Sequence, residues 1–384
     1  MSAFADSRPR AARPFSEYVA LAADEIRERT WRAKRALGTR AVILGHHYQR
    51  ESVIEFADYR GDSFKLSQLA ASRSDAEFIV FCGVHFMAES ADVLKQPHQT
   101  VILPDLKAGC SMADMAVMPD VEEAWDRLTA AHGDTLVPVT YMNSTAALKA
   151  FCGERGGVVC TSSNARTVLE WAWGLKPRVF FFPDQHLGRN TAFAMGVPLE
   201  QMAEWDYRAE DPDRANARCL GDRTRIILWR GFCSVHTRFT RRQVEEARAE
   251  DPAVKVLVHP ECPFDVVRNA DLAGSTEFII EQVRGATPGT RWAIGTEINL
   301  VHRLALEHPE QHVRSLQKNV CPCATMNRID PAHLLWVLEN LADGHVVNPV
   351  HVPEQVRRNA KVALDRMLAL KGTGAVAAKT MARD

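Results

Sequence analysis

The chain is 384 residues long, 46% hydrophobic and 25% charged, with a formal net charge of −1. This is the composition of a folded protein with core enough for two or three domains, and it excludes a disordered chain. The near-zero charge offers no broad basic field for nucleic acid, so any anionic ligand must be held by local groups.

No stretch approaches the ~20 apolar residues that span a bilayer. The opening MSAFADSRPRAARPF lacks the apolar core of a signal peptide, and an exposed tail on a cytoplasmic protein is expected. In that compartment the nine cysteines are expected to be free thiols.

From Pro14 to Leu37 the pattern SEYVALAADEIRERTWRAKRAL predicts an amphipathic helix capped by Ser16. One theme then runs three times. An apolar run ends in a polar cluster: AVILGHHYQ (41–49), LVPVTYMNST (136–145) and VKVLVHPECP (254–263). A helical segment and a second strand follow, closing on GDS (61–63), CTSSN (160–164) and AGST (273–276). A third apolar strand again ends polar, in FIVFCGVHFMAES, RVFFFPDQHLGRNT and RWAIGTEINL. Each unit finishes on a cysteine: TVILPDLKAGC at Cys110, TRIILWRGFC at Cys233, and VRSLQKNVCPC at Cys321 or Cys323.

Short continuous apolar strands alternating with helices predict buried parallel sheets of βαβ units. The fold class is therefore α/β: three homologous units about a pseudo-threefold axis, with strand ends and terminal cysteines facing one central cleft. The expected boundaries are a tail and helix over 1–38, units over 39–130, 131–250 and 251–345, and a C-terminal helix and tail over 346–384. Residues 201–225 are polar and aperiodic and are expected to be an insertion loop. Near the end, Asp330 and Pro331 predict a helix start, with Asp330 as N-cap.

CPC at 321–323 is the only close cysteine pair, so a zinc ribbon or a redox CxxC motif is poorly supported. One cysteine per repeat, Cys110, Cys233 and Cys321 or Cys323, suits an iron–sulfur cube with only three protein ligands. The iron left open would act as a Lewis acid. Cys323 stands nearer a helix start and is preferred to Cys321, while Cys82, Cys152, Cys160, Cys219 and Cys262 read as core thiols.

GHHYQ, VHFMAES, LPDLKAGCSMADMA, TYMNSTA, TSSNA, PDQHLGRNTA, GFCSVH, HPEC, IGTE and CPCATMNRIDPAHLLW together resemble the quinolinate synthase family over about residues 40–345. The resemblance implies an oxygen-sensitive [4Fe-4S] enzyme of NAD biosynthesis. It would condense iminoaspartate, made by L-aspartate oxidase, with dihydroxyacetone phosphate. It also implies substrate-binding roles for His46, Ser63, Tyr141, Met142, Asn143, Ser162, His259, Pro260, Glu261 and Thr276. Tyr48, Glu261, His259 and His46 would move protons, and Cys110, Cys233 and Cys323 would hold the cluster. Other branches of the family carry a single cysteine where this chain has CPC. His47 reads as structural, His85 and His186 as equally divided between substrate contact and support, and Asp184, Arg189 and Asn190 as shaping the cleft.

Overall fold

The computed structural model describes residues 11–371 and the backbone of 375–378. The expected tail ahead of residue 11 and the end of the C-terminal tail lie outside the described residues. Unit 1 holds β1 (Ala41–His46), β2 (Tyr59–Gly61), β3 (Phe78–Cys82) and β4 (Thr100–Ile102). Unit 2 holds β5 (Leu136–Tyr141), β6 (Val158–Cys160), β7 (Arg178–Phe182), β8 (Met202–Trp205) and β9 (Ile226–Trp229). Unit 3 holds β10 (Lys255–Val258), β11 (Leu272–Gly274), β12 (Arg291–Gly295) and β13 (His312–Ser315).

Four parallel strands in each unit take the same order: β2-β1-β3-β4, β6-β5-β7-β9 and β11-β10-β12-β13. Their apolar runs are buried because helices cover both faces of a parallel sheet. The α/β class with three parallel-sheet units is thus the observed architecture. Only the fifth strand differs between units. β8 adds in parallel to β9, whereas β14 (Pro349–Val350) and β15 (Ala375–Ala378) add antiparallel to β4 and β11.

Besides β15, which lies where the C-terminal tail was expected, two stretches differ from the sequence-based expectation. Ser16 lies in a 3-10 turn, Phe15–Glu17, and the helix begins only at Ala23. The buried Tyr18 donates its hydroxyl to Glu339 Oε2 at 2.8 Å, and Phe15 stacks on His333 with centroids 4.0 Å apart. These anchors hold 15–18 against the helix Pro331–Ala342, out of line with the later helix. Asp330 caps that C-terminal helix as expected, accepting from His333 N. The second difference is β8, which lies within the segment expected to be loop. Met202 and Trp205 are buried there, and the buried Asn216 accepts from Asp206 N at 2.7 Å to close the excursion.

The C-terminal segment touches every unit. β14 extends sheet 1, the helix Glu354–Ala369 packs on the helix Ala146–Glu154 of unit 2, and β15 extends sheet 3. Gly153 makes that helix pair possible, because an added Cβ would run into the Asn359 carbonyl. Gly153→Ala is expected to cost about 1–3 kcal/mol of stability by overpacking. A lowered thermal midpoint with specific activity retained by the folded fraction would bear this out.

Candidate active site

In each sheet the order reverses between the first and third strands, and ligands of open α/β sheets bind outside the carboxyl ends at that switch point. The three first strands β1, β5 and β10 deliver equivalent triplets there: His46-His47-Tyr48, Tyr141-Met142-Asn143 and His259-Pro260-Glu261. The first and third turns match, with Gln49 N donating to His46 O and Cys262 N to His259 O, whereas in the second Ser144 N donates to Met142 O and the Ser144 hydroxyl to Tyr141 O. All three triplets border one cavity.

Twelve residues singled out from sequence line that cavity: His46, Tyr48, Ser63, Cys110, Tyr141, Asn143, Ser162, Cys233, His259, Glu261, Thr276 and Cys323. Met142 and Pro260 do not line it. Met142 is buried and bonded through its N–H to Cys160 O, and the Pro260 carbonyl accepts from Asn190. Cys321 is exposed and borders a separate outer cleft.

The three cysteines of the cavity sit in one recurring turn. Each carbonyl accepts from the N–H four residues on, at Asp114, Thr237 and Asn327, over 3.0–3.1 Å. A 3-10 turn starts three residues on in each case, at Ala113, His236 and Met326. Backbone N–H groups of Met112 and Ala113 point at the Cys110 sulfur, and those of Val235 and His236 at the Cys233 sulfur. Such donors favour a thiolate. Burial outweighs them, however, and pushes the Cys110 thiol up to about 12 and Cys233 well above its ordinary range. A bound cation reverses that balance, since a coordinating thiol is deprotonated outright.

A chain of hydrogen bonds crosses the cavity. Tyr141 donates its hydroxyl to Glu261 Oε1, and His236 Nδ1 lies 2.8 Å from Glu261 Oε2. His236 Nε2 is 3.2 Å from Thr296 Oγ1, Tyr48 OH is 2.9 Å from the same oxygen, and Thr276 Oγ1 is 3.1 Å from Tyr48 OH. With Nδ1–H donating to the carboxylate, every hydroxyl in the chain can donate toward Glu261; the tautomer follows from this network.

Burial alone would raise the Glu261 pKa. The His236 ring and the Tyr141 hydroxyl, both hydrogen-bonded to it, win and hold its carboxyl below the usual range. Burial and the Glu261 charge push the Tyr48 and Tyr141 phenols well above their ordinary value. His46 and His259 are depressed by burial to about 3. Both accept a backbone N–H on Nδ1, from Tyr48 and Glu261, and so carry their proton on Nε2 as neutral donors.

The model of the quinolinate synthetase A protein family matches residues 28–369. The quinolinate synthase of Geobacillus thermodenitrificans is 56% identical over 354 residues, covering 92% of this chain and 96% of that protein. The enzymes of Corynebacterium glutamicum and Bacillus pumilus are 55% and 51% identical, covering 92% of this chain and 90% and 95% of theirs. The chain belongs to the quinolinate synthase family.

Its members are enzymes, and a metal cofactor fits the donors of the cavity. Cys233, His236 and Glu261 bring ligand atoms within 4.8 Å of one another. His236 and Glu261 already satisfy each other and Tyr141, which leaves sulfur as the free donor type. No helix among the described residues is long and apolar enough to cross a membrane.

Sequence reasoning passed over His236, Asp62 and Thr296. The signal for His236 was the spacing GFCSVH, which puts its ring one turn from Cys233. Asp62 caps the helix Ser63–Ser72 and receives the Ser163 hydroxyl of unit 2. His47 pairs with Glu277 at 3.0 Å outside the cavity, and His85, Asp184, His186, Arg189 and Asn190 do not border it either.

His46 and His259 make folding sensitive to acid. Unfolded histidine takes up a proton near pH 6.5, whereas these rings do so only near pH 3. Between those values the unfolded state binds more protons, so stability falls as pH drops, by about 1.4 kcal/mol per pH unit for each ring. Stability of the metal-free protein is expected to decline from pH 6.5 to 5. The slope should be shallower in His46→Gln, as denaturant titrations at each pH would read.

Proposed function

We propose that the chain makes quinolinate for NAD biosynthesis by condensing iminoaspartate with dihydroxyacetone phosphate in this cavity, with release of phosphate and two waters. The observation that carries the reading is the hydrogen-bond chain ending on Glu261, within a cavity that three cysteines also border. The family's [4Fe-4S] cluster would be held by Cys110, Cys233 and Cys323, whose turns are equivalent and whose sulfurs share the cavity. When bound, it supplies a Lewis-acidic iron with one position free of protein ligands.

The chain's own residues do the rest. Ser63 and Thr276 stand at the first positions of helices that follow β2 and β11, and Ser162 lies in the turn before the helix Ala165–Leu175. Hydroxyls and N–H groups at such sites receive carboxylate and phosphate oxygens. His46 and His259 add neutral Nε2–H donors, and Asn143 adds an amide. Among the titratable groups here, Glu261 is the one whose charged form is favoured, so it is the proton acceptor. It takes protons through the Tyr141 hydroxyl, or from Tyr48 along Thr296 and His236. Tyr48 and Tyr141, held protonated, serve as proton donors to departing groups. The apolar walls Val84, Phe86, Met87 and Val235 limit water around the reacting carbons.

The test is anaerobic reconstitution with iron and sulfide, followed by quinolinate assay with both substrates. Parent protein is expected to form quinolinate. Cys110→Ser, Cys233→Ser and Cys323→Ser are expected to lose both cluster absorbance and product, and Cys321→Ser to keep both. Glu261→Gln and Tyr48→Phe should keep the cluster and lose about 10²–10⁴-fold in kcat, the usual worth of a positioned acid or base. Full activity in the two proton-transfer variants would refute the roles given to those side chains.

A further inference from the structure

The third strand of each unit is followed by a helix that docks on the next unit around the ring. These helices are His85–Leu94, Gln185–Ala194 and Ile298–Glu307. The sixth residue of each, Ser90, Asn190 and Arg303, reaches the triplet segment of its neighbour.

Arg303 is buried and donates through Nη1 to His47 O at 3.0 Å and through Nη2 to Gln49 O at 2.7 Å. Those carbonyls flank Tyr48. Asn299, one turn earlier, donates to the Tyr48 carbonyl itself at 3.0 Å. Asn190 donates through Nδ2 to Pro260 O at 2.8 Å and Cys262 O at 2.9 Å, the carbonyls flanking Glu261. His47 and Gln49 in the first triplet segment correspond to Pro260 and Cys262 in the third. Two different side chains, from the same helical position, thus grip the same pair of carbonyls in the neighbouring unit. At the remaining junction Ser90 meets only the Met142 sulfur at 3.3 Å, and Lys149 of unit 2 holds Ser144 O instead.

We propose that Arg303 and Asn190 are positioning residues: each fixes, across a unit boundary, the peptide that aims a proton-moving side chain, Tyr48 for Arg303 and Glu261 for Asn190. This rests on the reading of Tyr48 and Glu261 given above. Neither clamp borders the cavity, so neither touches substrate. Their effect runs through the backbone. A guanidinium or amide held by two carbonyls fixes the peptide between them, and a misplacement of about 1 Å at a reacting group costs on the order of 10²-fold in rate. A purely structural clamp would instead lower stability and leave turnover by folded protein untouched.

The experiment uses full-length, cluster-reconstituted protein carrying Arg303→Lys or Asn190→Ala, with Tyr48→Phe and Glu261→Gln alongside. The readouts are kcat per bound cluster, KM for both substrates, the pH profile of kcat and the calorimetric Kd for quinolinate. Each clamp variant is expected to lose about 10- to 100-fold in kcat. KM and quinolinate Kd should stay within about threefold, and the limbs of the pH profile should move. If kcat per cluster stays within about twofold of the parent while Tyr48→Phe and Glu261→Gln are impaired, the clamps are structural and the proposal is overturned. Unimpaired Tyr48→Phe and Glu261→Gln would overturn the underlying reading, and the proposal with it. Arg303→Lys keeps the charge and the aliphatic stem and so decides the matter even if Asn190→Ala fails to fold.

Discussion

The site depends on one buried carboxylate being compensated. A charged group taken out of water costs several kcal/mol unless donors replace the lost hydration. The partners of Glu261 come from separate places: the Tyr141 hydroxyl at the end of β5, and the His236 ring from the turn after Cys233. Neither reaches Glu261 until unit 2 closes on unit 3. Tyr48, at the far end of the chain of hydroxyls, adds unit 1. The active arrangement is therefore a property of the closed ring, and no unit carries it alone.

Ring closure has its own supports. β14, the helix Glu354–Ala369 and β15 carry the C-terminal segment past all three units in turn. Arg366 donates to Gly157 O at 2.6 Å, and Asn164 of unit 2 donates to Met367 O and Leu370 O. At the front, Arg29 bridges to Glu339 at 2.7 Å, tying the first long helix to the helix that follows unit 3. These contacts lie away from the cavity, so the ring is held by groups free of chemical duties. Within the ring the repeat is kept where geometry needs it, in strand order and cysteine turns. It is abandoned at the third triplet position, occupied by Tyr48, Asn143 and Glu261, and at the first, where Tyr141 stands in place of a histidine.

Much of this was legible in the sequence because parallel strands advertise themselves. A short apolar run such as AVILG or RVFFF is buried on both faces, and the polar residues after it mark the carboxyl end. The recurrence of that pattern foretold three units and the convergence of their ends. The cysteine contexts pointed to one thiol per unit, and the nearness of Cys323 to a helix start favoured it over Cys321; Cys323 borders the cavity, while Cys321 is exposed. What escaped depended on contacts between units. His236 is one of many surface-compatible histidines until its ring meets Glu261, and Arg303 reads as an ordinary helical arginine until its guanidinium finds His47 O and Gln49 O. β8 escaped because MAEW is too short for its period to register, and its stability comes from Asn216 and the neighbouring strand. The Ser16 cap failed because Tyr18 and Phe15 had better partners elsewhere.

Among the described residues the cavity lining holds no lysine or arginine, although the proposed substrates carry two carboxylates and a phosphate. A fixed ammonium would have to be desolvated beside Glu261 and the cysteine sulfurs, where it would pair with them rather than with substrate. Hydroxyls, an amide and neutral imidazoles avoid that competition, since each offers a directed donor without a charge for Glu261 to capture. The depressed basicity of His46 and His259 follows the same logic: buried neutral, they keep an uncharged Nε2–H donor across the whole physiological range. The metal centre that the sulfur donors would hold can then receive a substrate oxygen by coordination at its open position rather than by net positive charge. An anion entering the cavity would be held and oriented by the neutral donors that line it, each supplying a directed N–H or O–H.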